Sequence, residues 1–320
     1  MGLKCASFFA GVGGIDKGFE LAGFETIFAN EFDYNASITY KANFPNVEFS
    51  PADIRTLNEK TDIPDFDIML AGFPCQAFSV AGYRQGFNDE KGRGNLFFEL
   101  ARILEEKKPP VIFLENVKNL VSHDDGNTFA VISNTLEELG YHIKHFVLNA
   151  CNYGNIPQTR ERIYIVGFRD KEQYKNFECP KPIKLETKLR DVVDFENKQD
   201  EKYYYTDKCT FYPQLAESMN RCDTCYQWRR VYVRENKSNL CPTLTANMGT
   251  GGHNVPLIRT YSGEFRKLTP RECFNLQGFP QDFILPEKLC GSALYKQAGN
   301  SVVVTVIHRI AEEIKKAIEQ

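Results

Sequence analysis

Short apolar runs and longer stretches of helical period alternate along the first half of this chain. Residues 3–9, 26–29, 66–70, 111–114, 142–148 and 162–168 read as strands. Between them, 13–22, 34–43, 96–107 and 128–139 carry apolar positions at the spacing of amphipathic helices. Strand and helix taking turns in this way predicts an α/β fold: a doubly wound, mostly parallel sheet covered on both faces. The pattern breaks near residue 171. From there to 265 the chain is rich in Lys, Tyr, Asn and Gly without a helical period, which predicts a smaller irregular domain entered around Pro180-Lys181-Pro182. After Ser301, the residues Val302, Val303, Val306, Ile307, Ile310 and Ile314 form one apolar face of a terminal helix, expected to pack back on the first domain. The expected division is 1–185 with 290–320 for one domain and 186–289 for the other.

The net charge of −3 argues by itself against a nucleic-acid partner, but its distribution does not. Residues 221–271 hold nine Lys/Arg and three Asp/Glu, so this stretch carries +6 and the remainder −9. A local basic surface is what phosphate contacts require, although it also suits an ordinary solvated face. The ten cysteines are scattered. Only Cys222 and Cys225 have C-x-x-C spacing, and no second pair completes a zinc site, so no metal is expected. No apolar run approaches the roughly 20 residues needed to cross a bilayer, and no signal peptide is evident, which points to the cytoplasm.

Two segments carry candidate chemistry. Cys75 lies in Gly72-Phe73-Pro74-Cys75-Gln76, just past the run 67–72, where open α/β sheets bind ligands. Pro74 fixes the backbone before the thiol and Gly72 relaxes the turn, a setting that suits a nucleophile as well as a small turn residue. The second segment is the turn Phe9-Ala10-Gly11-Val12-Gly13-Gly14 between the first strand and the first helix. A dinucleotide turn needs a further glycine three positions after Gly13, where this chain has Asp16. S-adenosylmethionine has no phosphate to hold; it needs room for a sulfonium and a carboxylate for its ribose. Glu31 ends the second strand where that carboxylate would lie, and Asp53 could meet the adenine amine.

Taken in order along nearly the whole chain, the motifs resemble the DNA (cytosine-5) methyltransferases in their bacterial restriction-modification form. They are F-A-G-x-G-G at 9–14, G-F-P-C-Q at 72–76, E-N-V at 115–117 and Q-x-R-x-R at 158–162. R-K-L-T-P-R-E-C at 266–273 and Y-K-Q-x-G-N-S-V at 295–302 complete the set. The resemblance implies methyl transfer from S-adenosylmethionine, leaving S-adenosylhomocysteine, to carbon 5 of a cytosine flipped out of a short duplex sequence. Cys75 would attack carbon 6, Glu115 would act on ring nitrogen 3, and Arg160 and Arg162 would lie near the target base. Cofactor contacts are implied at Phe9, Gly11, Gly13, Gly14, Glu31, Asp53, Ile54 and Pro74, with Asn300 and Ser301 folding back beside the glycine-rich turn.

DNA contacts are expected from a closing loop over 77–95, with Gln76, Ser79, Arg84 and Arg93, and from the second domain. There Gln227, Arg229, Arg230, Thr243, Thr245 and Gly251 are the candidates. Asn116 would orient the Cys75 loop. The expected partner is double-stranded DNA, bound by a monomer, with a cognate endonuclease as the system partner. Three rival readings stand beside this one: a tRNA methyltransferase of the same fold, a DNA-binding module without catalysis, and a nicotinamide oxidoreductase. The last is disfavoured by Asp16 and by the basic second domain.

Overall fold

Strand β1 (Lys4–Phe8) lies inside a seven-stranded sheet because its side chains are buried on both faces. In the computed structural model, which describes residues 2–74, 96–251 and 253–320, the strand order is β3-β2-β1-β4-β5-β7-β6. The other strands are β2 (Glu25–Asn30), β3 (Glu48–Ser50), β4 (Ile68–Gly72), β5 (Val111–Val117), β6 (His142–Asn149) and β7 (Glu161–Phe168). Pairing from β3 through β5 is parallel, and β7 runs antiparallel to β5. The mostly parallel sheet expected from the alternating pattern is what forms.

Alternation along the strands serves both faces. Ala6, Phe8, Met69, Ala71, Ile112 and Leu114 pack with Phe97, Leu100 and Leu104 of helix Leu96–Lys107 and with Ile132 and Leu136 of helix Asn127–Glu138. On the opposite face Phe113 meets Phe19 of helix α1 (Gly14–Leu21) edge-on, with centroids 5.2 Å apart. Helix α2 (Tyr34–Asn43) is capped by Asp33, whose side chain accepts from the Ala36 amide at 3.0 Å.

The terminal helix Val304–Glu319 does pack on the first unit. Gly18 of α1 leaves room for it: a Cβ there would stand 2.5 Å from Ile307. Lys315 also donates to the Ala22 carbonyl at 3.1 Å.

Contacts divide the chain into one unit of residues 1–148, 161–181 and 307–320, and a second of 149–160 and 182–306. Segments 149–160, 182–185 and 290–306, expected in the larger domain, belong to the second unit. The reason is local bonding. The Gln158 amide donates to the Leu276 carbonyl at 2.6 Å, and the Leu244 amide donates to the Gln158 side chain at 3.0 Å. Helix Gly291–Asn300 lies against the turn Ala246–Gly249 so closely that a Cβ on Gly249 would meet the Ser292 carbonyl at 2.3 Å.

The second unit also has its own sheet, of order β10-β9-β11-β12-β8, built from β8 (Tyr204–Tyr205), β9 (Tyr226–Trp228), β10 (Val233–Glu235), β11 (Leu257–Arg259) and β12 (Phe265–Lys267). Arg266 and Glu272 form a buried two-pronged pair there, at 2.6 and 2.8 Å. Glu272 further accepts from the Thr269 and Asp194 amides, at 2.7 and 2.8 Å. Among the described residues, no helix is long and apolar enough to cross a membrane.

Two stability predictions follow from these contacts. Gly18→Ala pushes a methyl group into Ile307 and should cost about 1–3 kcal/mol in urea unfolding. Glu272→Gln strands the buried Arg266 charge and should cost about 3–5 kcal/mol in the same measurement.

Candidate active site

Strand register builds the site. Phe8 pairs with Asn30 and with Ala71, Asn30 pairs with Ser50, and Gly72 pairs with Glu115. Because these strands are parallel, the segments after Phe8, Asn30, Ser50 and Gly72 all leave at one sheet edge, level with Glu115. That edge is where open α/β sheets hold ligands.

β5 continues to Val117 and pairs with Arg162, so Glu115 lies within the strand instead of just past its end. Its carboxylate is buried and bridges to Arg162 Nε at 3.1 Å. Gly72 lies against it: a Cβ at that position would be in ordinary contact, 3.4 Å from Glu115 Oε2. Arg162 is anchored through a second donor, Nη1, to the Glu161 carbonyl at 2.8 Å. Next along β5, the Asn116 amide donates to the Phe73 carbonyl at 2.8 Å, while its own oxygen accepts from the Val117 amide at 2.8 Å. The backbone entering Pro74-Cys75 is therefore tied to the strand that carries Glu115. Pro74 is exposed at this edge. Cys75, Gln76, Ser79, Arg84, Arg93 and the expected closing loop lie outside the described residues.

The glycine-rich turn has backbone that only a few residue types tolerate. Gly11 has φ 57° and Gly13 caps α1 with φ 85°. A Cβ on Gly11 would meet nothing within 4 Å, so this glycine borders open space, whereas one on Gly13 would collide with the Phe44 ring. Phe9 shares the left-handed backbone at φ 53°. The Glu31 carboxylate spans the turn and the next loop, accepting from the Gly11 amide at 2.8 Å and from the Asp33 amide at 2.7 Å. Burial pushes its pKa up, opposed by those amide hydrogen bonds. The following residue, Phe32, is 71% exposed. Nothing in the apolar pattern singles out this exposed ring from any other surface aromatic.

The donor set suits a nucleoside carrying a sulfonium better than a dinucleotide. It offers a fixed carboxylate for a ribose diol, an exposed ring for a base and an open glycine. The third glycine of a pyrophosphate cradle is replaced by the buried Asp16.

Other expected contacts are placed differently. Asp53 is closed on Arg55, with Arg55 Nε 2.9 Å from its Oδ1, so an adenine amine would have to share that acceptor. Ile54 is a core residue, and its carbonyl holds Arg102 at 3.1 Å, so its side chain offers no ligand surface.

Arg160 belongs to the second unit and is buried. Its guanidinium donates to the carbonyls of Leu244 at 2.7 Å, Gly299 at 3.2 Å and Ser301. Spacing alone cannot separate such a structural fork from one aimed at a base. Among the described residues the buried Ser301 hydroxyl has no hydrogen-bond partner, and Asn300 is exposed.

In the second unit, Gln227 and Arg229 bond to each other at 2.9 Å on the β9–β10 hairpin, and Arg230 turns its tip at φ 62°. Val231 and Tyr232, which the sequence reading passed over, complete the tip at 80% and 59% exposure. Thr243 donates to the Thr159 carbonyl and Thr245 to the Asn247 side chain. Gly251 has φ 88° and open space around it. No group of three or more His, Cys, Asp or Glu among the described residues could hold a metal ion.

Comparison with known proteins bears on the family and the fold. The model of the C-5 cytosine-specific DNA methylase family matches residues 3–316. The type II methyltransferase M.Bsp6I of Bacillus sp. (strain RFL6) is 64% identical over 318 residues, covering 99% of each chain. M.HhaI of Haemophilus parahaemolyticus is 40% identical over 329 residues, covering 99% of this chain and 95% of that one. Among solved structures, a DNMT2 variant from Spodoptera frugiperda superposes with a TM-score of 0.75 at 20% identity, covering 98% of this chain and 99% of that one, a likeness of fold. This chain belongs to the C-5 cytosine-specific DNA methylase family, in its type II restriction-modification form.

Proposed function

We propose that this enzyme methylates carbon 5 of a cytosine flipped out of a short specific duplex sequence, working through a covalent Cys75 adduct. The observation that carries the reading is the pairing of two contacts on β5. Glu115 is held by Arg162, and the adjacent Asn116 holds the backbone leading to Cys75.

S-adenosylmethionine would supply an electrophilic methyl group on a sulfonium. The chain's own residues do the rest. The Cys75 thiolate adds to carbon 6 and makes carbon 5 nucleophilic. Glu115 hydrogen-bonds ring nitrogen 3 and the exocyclic amine, which draws charge off the ring as the thiolate adds. After methylation the proton leaves carbon 5, and the sulfur–carbon 6 bond breaks as the ring double bond reforms. Arg162 fixes the carboxylate and can reach the base carbonyl oxygen.

Glu31 would grip the ribose, Phe32 would cover the adenine, and the turn at Phe9, Gly11, Gly13 and Gly14 would border the methionine part. Pro74, and Asn300 and Ser301 as the family resemblance implies, would complete the cofactor contacts. Base reading falls to the exposed hairpin tip with Gln227, Arg229 and Arg230, and to the segment around Thr243, Thr245 and Gly251. Arg160 acts as a positioning residue, because its guanidinium holds that segment's Leu244 carbonyl. The protein works in the cytoplasm as a monomer on double-stranded DNA, protecting sites that a cognate endonuclease would cut.

Transfer of labelled methyl from S-adenosylmethionine to a duplex library tests the whole reading. Label on cytosine carbon 5 in one short motif, absent in Cys75→Ala, is the expected result. Label on RNA alone would move the assignment to the tRNA branch. Glu115→Gln should lower kcat by about 10²- to 10⁴-fold while duplex Kd stays within about threefold. Arg160→Lys should show the opposite profile. It keeps the charge and loses the fork, so Tm and duplex affinity should fall together while kcat at saturating duplex holds.

A further inference from the structure

Asp16 is the one carboxylate near the glycine-rich turn that the proposed chemistry leaves unused. It sits in the first turn of α1, three residues past Gly13, and is fully buried. Its Oδ2 accepts from Ser7 Oγ at 2.9 Å and its Oδ1 from Tyr40 OH at 2.7 Å. Both donors are buried as well, Ser7 on β1 and Tyr40 on α2. No lysine, arginine or histidine of the described residues pairs with it. The charged and titratable groups facing it are Cys5 of β1, Tyr40 of α2 and Glu20 of α1, and Glu20 is already taken by Lys17 at 2.9 Å. The terminal helix closes the other side of α1 at Gly18 with Ile307 and the backbone of His308.

A buried anion without a cationic partner is costly, so its retention calls for a reason. Burial raises the Asp16 pKa to about 6, against the two hydrogen bonds that lower it. With its folded pKa above the unfolded value, the group favours the folded state at low pH, and that contribution is lost as pH rises through about 6. Above that pH the fold carries the charge at a cost.

The turn itself shows what the charge answers. The N-terminus of a helix presents roughly half a positive charge, which suits a pyrophosphate and opposes a cation. A carboxylate in the first turn cancels that field. It also reaches the turn mechanically, since Tyr40 stacks on Phe44 at 4.7 Å and the Phe44 ring fills the space a Gly13 side chain would need.

We propose that Asp16 is the electrostatic partner of the cationic cofactor, a specificity-determining residue that makes the site favour the sulfonium over its neutral thioether product. The inference rests on the S-adenosylmethionine reading. It acts through the field at the glycine-rich turn and requires no direct contact with substrate. Asp16→Asn is the matching variant: its amide oxygen still accepts from Tyr40 and its nitrogen donates to Ser7, so shape persists while charge is lost.

The test is isothermal titration of the wild-type protein, Asp16→Asn and Tyr40→Phe with S-adenosylmethionine, S-adenosylhomocysteine and sinefungin, at pH 5 and 7.5. Sinefungin carries an ammonium where the sulfonium stands. The quantity to read is the ratio of S-adenosylhomocysteine Kd to S-adenosylmethionine Kd, in which effects on the shared ribose, base and amino-acid groups cancel. In the wild type this ratio should fall about tenfold from pH 7.5 to 5, and in Asp16→Asn it should already be low at pH 7.5 and stay flat. Sinefungin should follow the sulfonium. Tyr40→Phe removes one donor to the anion and should move the midpoint of the wild-type change to higher pH. A wild-type ratio that does not change with pH, or an Asp16→Asn ratio equal to the wild type's at pH 7.5, would overturn the inference while leaving the cofactor reading intact. Failure of all three ligands to bind the wild type would overturn the cofactor reading and this inference with it.

Discussion

Parallel register in the first unit is the constraint on which the site depends. Phe8, Asn30 and Ser50 are in register with Ala71 and Leu114, one position before Gly72 and Glu115, so four chain segments leave the sheet at the edge beside which Glu115 lies. A one-residue slip of β4 against β5 would put Glu115 and the Gly72 turn on opposite faces. The apolar side chains on both faces forbid that slip, because each strand would have to exchange its two buried faces. Core packing and catalytic geometry are thus one requirement, and Glu115 can be buried beside Arg162 only because the sheet around it cannot shift.

The alternation of apolar runs was enough to read the sheet, its mostly parallel sense and the placing of the terminal helix. Those features follow from periodicity and from short connections, which a sequence displays directly. The motifs likewise pointed to Glu115, Arg162 and Asn116. What the sequence could not show is where a polar side chain spends its hydrogen bonds. Arg160 and Arg162 are two positions apart and look equivalent, yet one fork holds main-chain carbonyls of the second unit and the other holds Glu115. Asp53 looked like a free acceptor until Arg55, two residues on, was found to close on it. Phe32, Val231 and Tyr232 were missed for the opposite reason: pattern reading rewards apolar residues that are buried, and these are exposed.

The division of the chain carries a related lesson. Residues 149–160 lie between two strands of the first unit, which made them look like part of it. Their side chains decide otherwise. Gln158 bonds to Leu244 and Leu276, and Arg160 to Leu244, Gly299 and Ser301, so the motif's first two side chains serve the second unit. Its third, Arg162, serves the first. Arg160 thus clamps the Leu244 carbonyl, whereas Arg162, two residues on, pairs with Glu115. This explains why two arginines at such close spacing carry different chemistry.

Asp16 shows how a shared architecture is retuned. A doubly wound sheet with a glycine turn opening a helix is suited to phosphates, because the helix N-terminus attracts negative charge. Using the same turn for a positively charged ligand requires that field to be cancelled, and the residue that cancels it must be buried near the turn to act through low dielectric. Occupying the third glycine position with a carboxylate does both: it denies the backbone approach a pyrophosphate needs and supplies the opposing charge. Ser7 and Tyr40 then satisfy the anion without neutralising it. A lysine in either place would neutralise the carboxylate and leave the positive field of the helix N-terminus uncancelled, which opposes a sulfonium.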